Sequence, residues 1–230
     1  MKERPILFSG AMVCALLDGS KTQTRRIVKN QPLEDVSPIR VSHYHPTVID
    51  RRGDEQPGTE IFGAYSDGGE WGSKCPYGEP GERLWVRETF FAYGRWETRY
   101  SAKKGRDEWH FIDMTLECDR IYQYAADNPD LPLAHNRGGV LPGWWKRPAI
   151  HMPRVASRIA PEMTDVRIER LNDITDADAE AEGWPGFTDD NGLDSMAWYS
   201  ELWDSLNAAR GFGWEANPWV WVVEFKRIEA

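Results

Sequence analysis

Apolar positions recur along this chain with two different periods, and the change of period marks out its elements. Residues 11–17 form a short apolar run closed by Gly19, which predicts a small helix with the glycine near the left-handed position that ends helices. The β-branched residues that follow, Thr22, Thr24, Ile27 and Val28, predict a strand. Leu84 and Val86 alternate with polar neighbours behind the turn Gly78-Glu79-Pro80-Gly81, as a core strand does. Val166 and Ile168 alternate in the same way within 164–171. Thr175-Asp176-Ala177-Asp178 reads as a capping box that opens a helix running through Glu182 and stopping at Gly183. Trp198, Leu202 and Leu206 stand at helical spacing over 194–207, with Tyr199 and Trp203 beside them, and predict an amphipathic helix with a core-facing stripe. Residues 217–225 predict a closing sheet strand.

Two regions break the pattern. Residues from about 30 to 75 are rich in proline, glycine and charge, and those from about 95 to 145 are polar and proline-rich, with a strand-like run over 114–125 that suggests a hairpin. Both read as insertions in a single α+β domain spanning 1–230, a length that can bury a proper core.

Charge narrows the function classes. With 28 lysines and arginines against 37 acidic residues, a net charge of -9 argues against a broad cationic face for duplex nucleic acid, leaving local basic clefts. Arg25, Arg26 and Lys29 form one such cluster, and Trp144, Trp145, Lys146, Arg147, Arg154 and Arg158 another. Three widely spaced cysteines, Cys14, Cys75 and Cys118, fit a reducing compartment, so the chain reads as cytoplasmic. No run approaches the roughly 20 apolar residues of a membrane span, and no membrane partner is expected.

The candidate chemistry gathers after the first helix. Lys21, Thr22, Thr24, Arg25 and Arg26 concentrate an amine, hydroxyls and fixed positive charge where a helix hands over to a strand. Lys21 can reach Thr24 only if it sits in the turn, because residues three apart on a regular strand face opposite ways. Glu182 falls in the last turn of its helix, where the dipole disfavours a negative charge, the setting of a carboxyl group that donates a proton near neutral pH. An ordinary solvated helix-end glutamate is the plainer alternative. Trp144, Trp145, Arg147, His151 and Arg154 mix aromatic rings with cations, which suits unpaired bases that stack while arginines hold phosphates; equally, the tryptophans can plug a core and His151 can be a hydrogen-bonded core residue. His43 and His45 lack further ligands at a recognisable metal spacing, so neither metal nor cofactor is expected.

The opening helix with Gly19-Ser20-Lys21-Thr22-Gln23-Thr24-Arg25-Arg26, the Gly81-Glu82 turn, the 171–183 segment and the closing Val222-Val223-Glu224-Phe225-Lys226 together resemble the ASCH domain family of the PUA-like superfamily. Cys75-Pro76-Tyr77-Gly78, Leu84-Trp85-Val86-Arg87-Glu88 and Ile150-His151-Met152-Pro153-Arg154 resemble a longer ASCH-type group common in phages and prophages. The resemblance implies a small mixed β-barrel with flanking helices, two long insertions, and a cleft between the first helix and the barrel. It also implies association with RNA and modified nucleobases, and in one bacterial branch an amidohydrolase acting on N4-acetylcytidine. By motif, that branch's proton acceptor falls on Lys21, its nucleophile on Thr24 and its proton donor on Glu182. The expected partner is therefore a nucleoside or single-stranded nucleic acid. A non-catalytic reader of RNA, single-stranded DNA or modified bases, and a phage accessory protein acting through protein contacts, are the alternatives.

Overall fold

The computed structural model describes residues 2–33, 36, 38–186 and 194–228. In chain order these form β1 (Glu3–Leu7), α1 (Gly10–Asp18), β2 (Gln23–Ile27), β3 (Ile39–Tyr44), β4 (Thr47–Ile49), β5 (Glu55–Pro57), β6 (Ile61–Ser66), β7 (Gly72–Lys74) and β8 (Arg83–Arg87). There follow β9 (Phe90–Ser101), β10 (Arg106–Asp113), β11 (Gln123–Tyr124), β12 (Gly143–Arg147), β13 (Glu162–Arg170), α2 (Asp176–Ala181), α3 (Ser195–Asn207) and β14 (Trp219–Lys226). The fold is mixed α+β, rich in strands and sparing of helices. No helix among the described residues is long and apolar enough to cross a membrane.

The chain divides into two compact units, residues 1–4, 15–84 and 160–230 in one and residues 5–14 and 85–159 in the other. The five-stranded sheet has the order β1-β8-β13-β14-β2. It is open, which corrects the expected closed barrel. Its edge strands β1 and β2 are consecutive in sequence and joined through α1, whereas closure requires the first and last strands to hydrogen-bond.

In the first unit β14 lies between β13 and β2, antiparallel to both. Val220 and Val222 of β14 are fully buried and cluster with Leu171, Ile174, Ala179, Tyr199 and Trp203, so this sheet face is roofed by α2 and α3. The buried stripe of α3 is Ser195, Tyr199, Trp203 and Asn207, one position round the helix from the expected Trp198, Leu202 and Leu206. Leu206 is half exposed. Tyr199 and Trp203 win the core face because both rings pack on the valines while the Trp203 indole donates to the Phe212 carbonyl at 2.7 Å.

The segment expected as the first insertion folds as short antiparallel ribbons, β3-β6-β7 and β4-β5. His43 closes on Glu79 at 2.8 Å there. In the second unit β9 and β10 form the long hairpin, with β11 and β12 also paired to β9. The hairpin thus precedes 114–125, which is mostly turn, because the Asp113 carboxylate draws the chain round by accepting from the Thr115 amide and hydroxyl. Phe90, Ala92, Met152 and Ala156 make the core of this unit. Glu88, 2 % exposed, is held by a two-pronged ion pair from Arg158, as buried carboxylates must be.

Candidate active site

The first unit carries its chemistry where the start of β2 meets the end of α2. The capping box is present: the Thr175 hydroxyl accepts from the Asp178 amide at 3.2 Å, and the Asp178 carboxylate accepts from the Thr175 amide at 3.1 Å. This fixes a helix of only six residues, too short to persist without caps and packing. Glu182 is its C-cap, and Gly183, at φ 98°, closes it in the left-handed conformation. The chain then pairs across to the residues before β2: Lys21 and Glu182 form an antiparallel bridge, and the Thr22 amide donates to the Ala181 carbonyl at 2.9 Å.

That pairing aims the Lys21 ammonium at Glu182. Its Nζ lies 2.8 Å from Glu182 Oε2 and donates to the Glu182 carbonyl at 2.7 Å. Neither side chain exceeds 2 % exposure. Burial pulls the Lys21 amine below its ordinary value; Glu182 opposes the shift, and the charges of Arg26 and Arg25 add to it. The Tyr199 hydroxyl, 3.5 Å from Glu182 Oε1, is pushed well up by burial first and by the Glu182 charge second.

Arg25 completes the cluster. Its fully enclosed guanidinium reaches Glu169 at 3.3 Å, Asp178 at 3.2 Å and Glu182 at 3.7 Å. Its Nε and Nη1 nevertheless have no hydrogen-bond acceptor. Gln23 donates to the Asp178 carbonyl at 2.8 Å and to its carboxylate at 3.0 Å. Burial raises the Asp178 carboxyl, but hydrogen bonds from Thr175 and Gln23 outweigh it, and the net shift is downward. Arg167 extends the network to Glu169 and Glu224.

Strand geometry sorts the predicted residues into two groups. In the β2–β14 register Gln23 faces Glu224, Thr24 faces Val223, Arg25 faces Val222 and Arg26 faces Trp221. Since successive side chains point to opposite faces, Gln23 and Arg25 share the side of Val222 under the helices, and Thr24 and Arg26 take the other. Lys21 and Glu182 are brought together; Thr24, itself buried, lies across the strand from Arg25. Thr22 is exposed at the edge of the site and Arg26 half-buried.

The remaining predicted residues belong to the second unit. Trp144 is buried, edge-on to Tyr93 at 5.5 Å. Trp145 donates to the Gly94 carbonyl at 3.0 Å and packs edge-on to Trp96. Arg147 lies over Trp96 and Phe111, 4.8 and 4.5 Å from the ring centroids. His151 is exposed in a short turn, Ala149–His151, rather than inside an apolar strand, and Arg154 is exposed in the next.

Asp178, Glu169, Gln23 and Tyr199 were not marked as site residues by the sequence pattern. A signal exists: Lys21, Gln23 and Arg25 stand at alternate positions, so one face of a strand that should be buried is polar and needs partners. Compared with protein-family models, curated proteins and solved structures, the chain finds no match.

Proposed function

We propose that this protein is an ASCH-type, PUA-like protein that binds a nucleoside or an unpaired base and removes an acyl group from a base of the N4-acetylcytidine kind. The reading is carried by one observation, the 2.8 Å contact between a buried lysine whose basicity is lowered and a buried glutamate. Moving one proton from the Lys21 ammonium to the Glu182 carboxylate creates a neutral amine and a carboxylic acid together, the base and acid that amide hydrolysis needs. Burial and the neighbouring Arg26 and Arg25 charges favour the neutral form of Lys21. The amine then takes the proton of the attacking hydroxyl, from Thr24 or a water; the hydroxyl oxygen bonds to the acyl carbon as the bond to the base nitrogen breaks, and Glu182 protonates that nitrogen. With water the acid is released directly; with Thr24 the acyl group rests on its oxygen as an ester, which a water hydrolyses to free the acid and restore the hydroxyl.

The position of Thr24 on the opposite strand face from Arg25 favours a second reading, a non-catalytic base reader in which the Lys21–Glu182 pair only shapes the cleft. Incubation with N4-acetylcytidine, followed by chromatography for cytidine, separates the two. Turnover abolished by Lys21→Met and by Glu182→Gln supports the amidohydrolase. No turnover, or turnover that survives Lys21→Met, rejects it. Loss in Thr24→Val assigns the nucleophile to threonine, and persistence assigns it to water.

A further inference from the structure

The face of the β9–β10 hairpin that carries Phe90 and Ala92 into the core of the second unit continues outward as a row of aromatic rings. Register places Trp96 opposite Phe111 and Thr98 opposite Trp109, and directly opposed residues share a face. Trp145, paired with Ala92, lies on that same face and meets Trp96 edge-on. Positions two apart on a strand are separated by about 7 Å, so the rings form a ladder running out from the core. Its outer end is open: Trp109 is 45 % exposed and Tyr100, on the same face, 71 %.

Two guanidinium groups lie on this ladder. Arg137 and Arg147 both stand over the Trp96 ring, 4.4 and 4.8 Å from its centroid. Neither has a hydrogen bond or an ion pair with a carboxylate among the described residues. Asp113 attracts Arg147 without pairing to it, its oxygens accepting from the neutral Thr115 and Tyr122 hydroxyls. Glu97 is taken by Arg95 at 2.8 Å. Arg147 feels the attraction of Asp113 and the opposing charge of Arg137, and among the described residues neither guanidinium is closed by an ion pair, so both keep N–H donors to offer. A guanidinium stacked flat on a ring keeps its N–H edge free for an anion.

We infer that this face binds single-stranded nucleic acid, with bases stacked on Trp109 and Tyr100 and backbone phosphate held between Arg137 and Arg147. The inference rests on the nucleic-acid reading above and adds where the polymer lies. Exposed flat rings beside cations with free donors match bases beside phosphates; an acidic peptide would use the cations and leave the rings idle.

The test is fluorescence anisotropy with unmodified, labelled 12-nucleotide DNA and RNA strands, which carry no acyl group, so its result is independent of deacylation of the free nucleoside. Binding is expected to weaken about tenfold in Trp109→Ala and again in Arg137→Ala, with a shallower salt dependence in the arginine variant. Both side chains are at the surface, so folding is retained, and Tyr100→Ala provides a third variant. Absence of binding at 50 mM salt as an order-of-magnitude working condition, or unchanged affinity in all three variants, overturns the inference. Equal affinity for poly-glutamate that is indifferent to Trp109→Ala also overturns it and assigns the face to acidic peptide.

Discussion

Lys21 and Glu182, 161 positions apart, are joined twice, by a 2.8 Å ammonium–carboxylate contact and by a lysine hydrogen bond to the glutamate's own carbonyl at 2.7 Å. Their backbones also form a bridge, so main chain and charge fix the same geometry. Buried ion pairs are costly to half-remove, since the surviving charge has no water to turn to.

Lys21→Met and Glu182→Gln are each expected to lower unfolding stability, Lys21→Met by about 3–5 kcal/mol. The double variant Lys21→Met/Glu182→Gln is expected to cost well under the sum, because it leaves no orphaned lysine or glutamate charge. Urea denaturation of the four proteins measures the coupling. Additive losses would show that the two groups do not sense each other in solution.

The capping box holds the short helix that delivers Glu182. Thr175→Ala removes the hydroxyl that accepts from the Asp178 amide, and a loss of about 1 kcal/mol is expected, with Thr175→Ser recovering most of it. Because Asp178 also receives Gln23 and Arg25, the alanine variant should loosen β2 as well. Hydrogen exchange at the amides of residues 22 and 182 reads this directly; protection equal to the parent at both would separate the cap from the site.

Much of this arrangement was legible in the sequence because it is written locally. The capping box, the glycine that ends the helix and the β-branched run of β2 each depend on a few neighbouring residues, and each element stands where the pattern puts it. The meeting of Lys21 with Glu182 depends on long-range pairing, and only a resemblance of motifs suggested it. Which face Thr24 occupies depends on the register of β2 against β14, where a one-residue shift would exchange Thr24 with Arg25. The stripe of α3 shifted for a similar reason: tyrosine and tryptophan on adjoining faces are all apolar enough, and the valines beneath decide between them. Closure of the sheet is likewise a property of its edges, on which hydrophobic period is silent.

Cys75 supplies a pH test of the first unit. The thiol is 1 % exposed, and burial pushes it from the ordinary 9.0 up to about 11, despite hydrogen bonds from the Tyr77 and Gly78 amides. A group that ionises later in the folded than in the unfolded state contributes stability that is complete below pH 9 and lost as pH rises from 9 towards 11. The expected loss is roughly 2–3 kcal/mol, at about 1.4 kcal/mol per pKa unit. Cys75→Ala removes this term, so its stability curve should fall less steeply over that window. Parallel curves would mean that the thiol is hydrated.

Gly183 is the position where backbone and site are most tightly tied. Its φ of 98° lies in the left-handed region, and a Cβ built there would stand 2.9 Å from the Ala15 Cβ and 3.3 Å from the Lys21 Cβ. Gly183→Ala therefore meets two separate penalties, about 1–2 kcal/mol for an L-residue in left-handed backbone and about 1–3 kcal/mol for overpacking. The second falls first on Ala15, the closer contact, and then on the Lys21 side chain, which must give by a few tenths of an ångström. Ala15→Gly relieves the closer contact while leaving the backbone conformation unchanged. The cost of Gly183→Ala, measured by urea denaturation, is accordingly expected to be smaller by about 1 kcal/mol or more in the Ala15→Gly background than in the parent. An equal cost in both would show that the contact with Ala15 adds nothing to the cost of the backbone conformation.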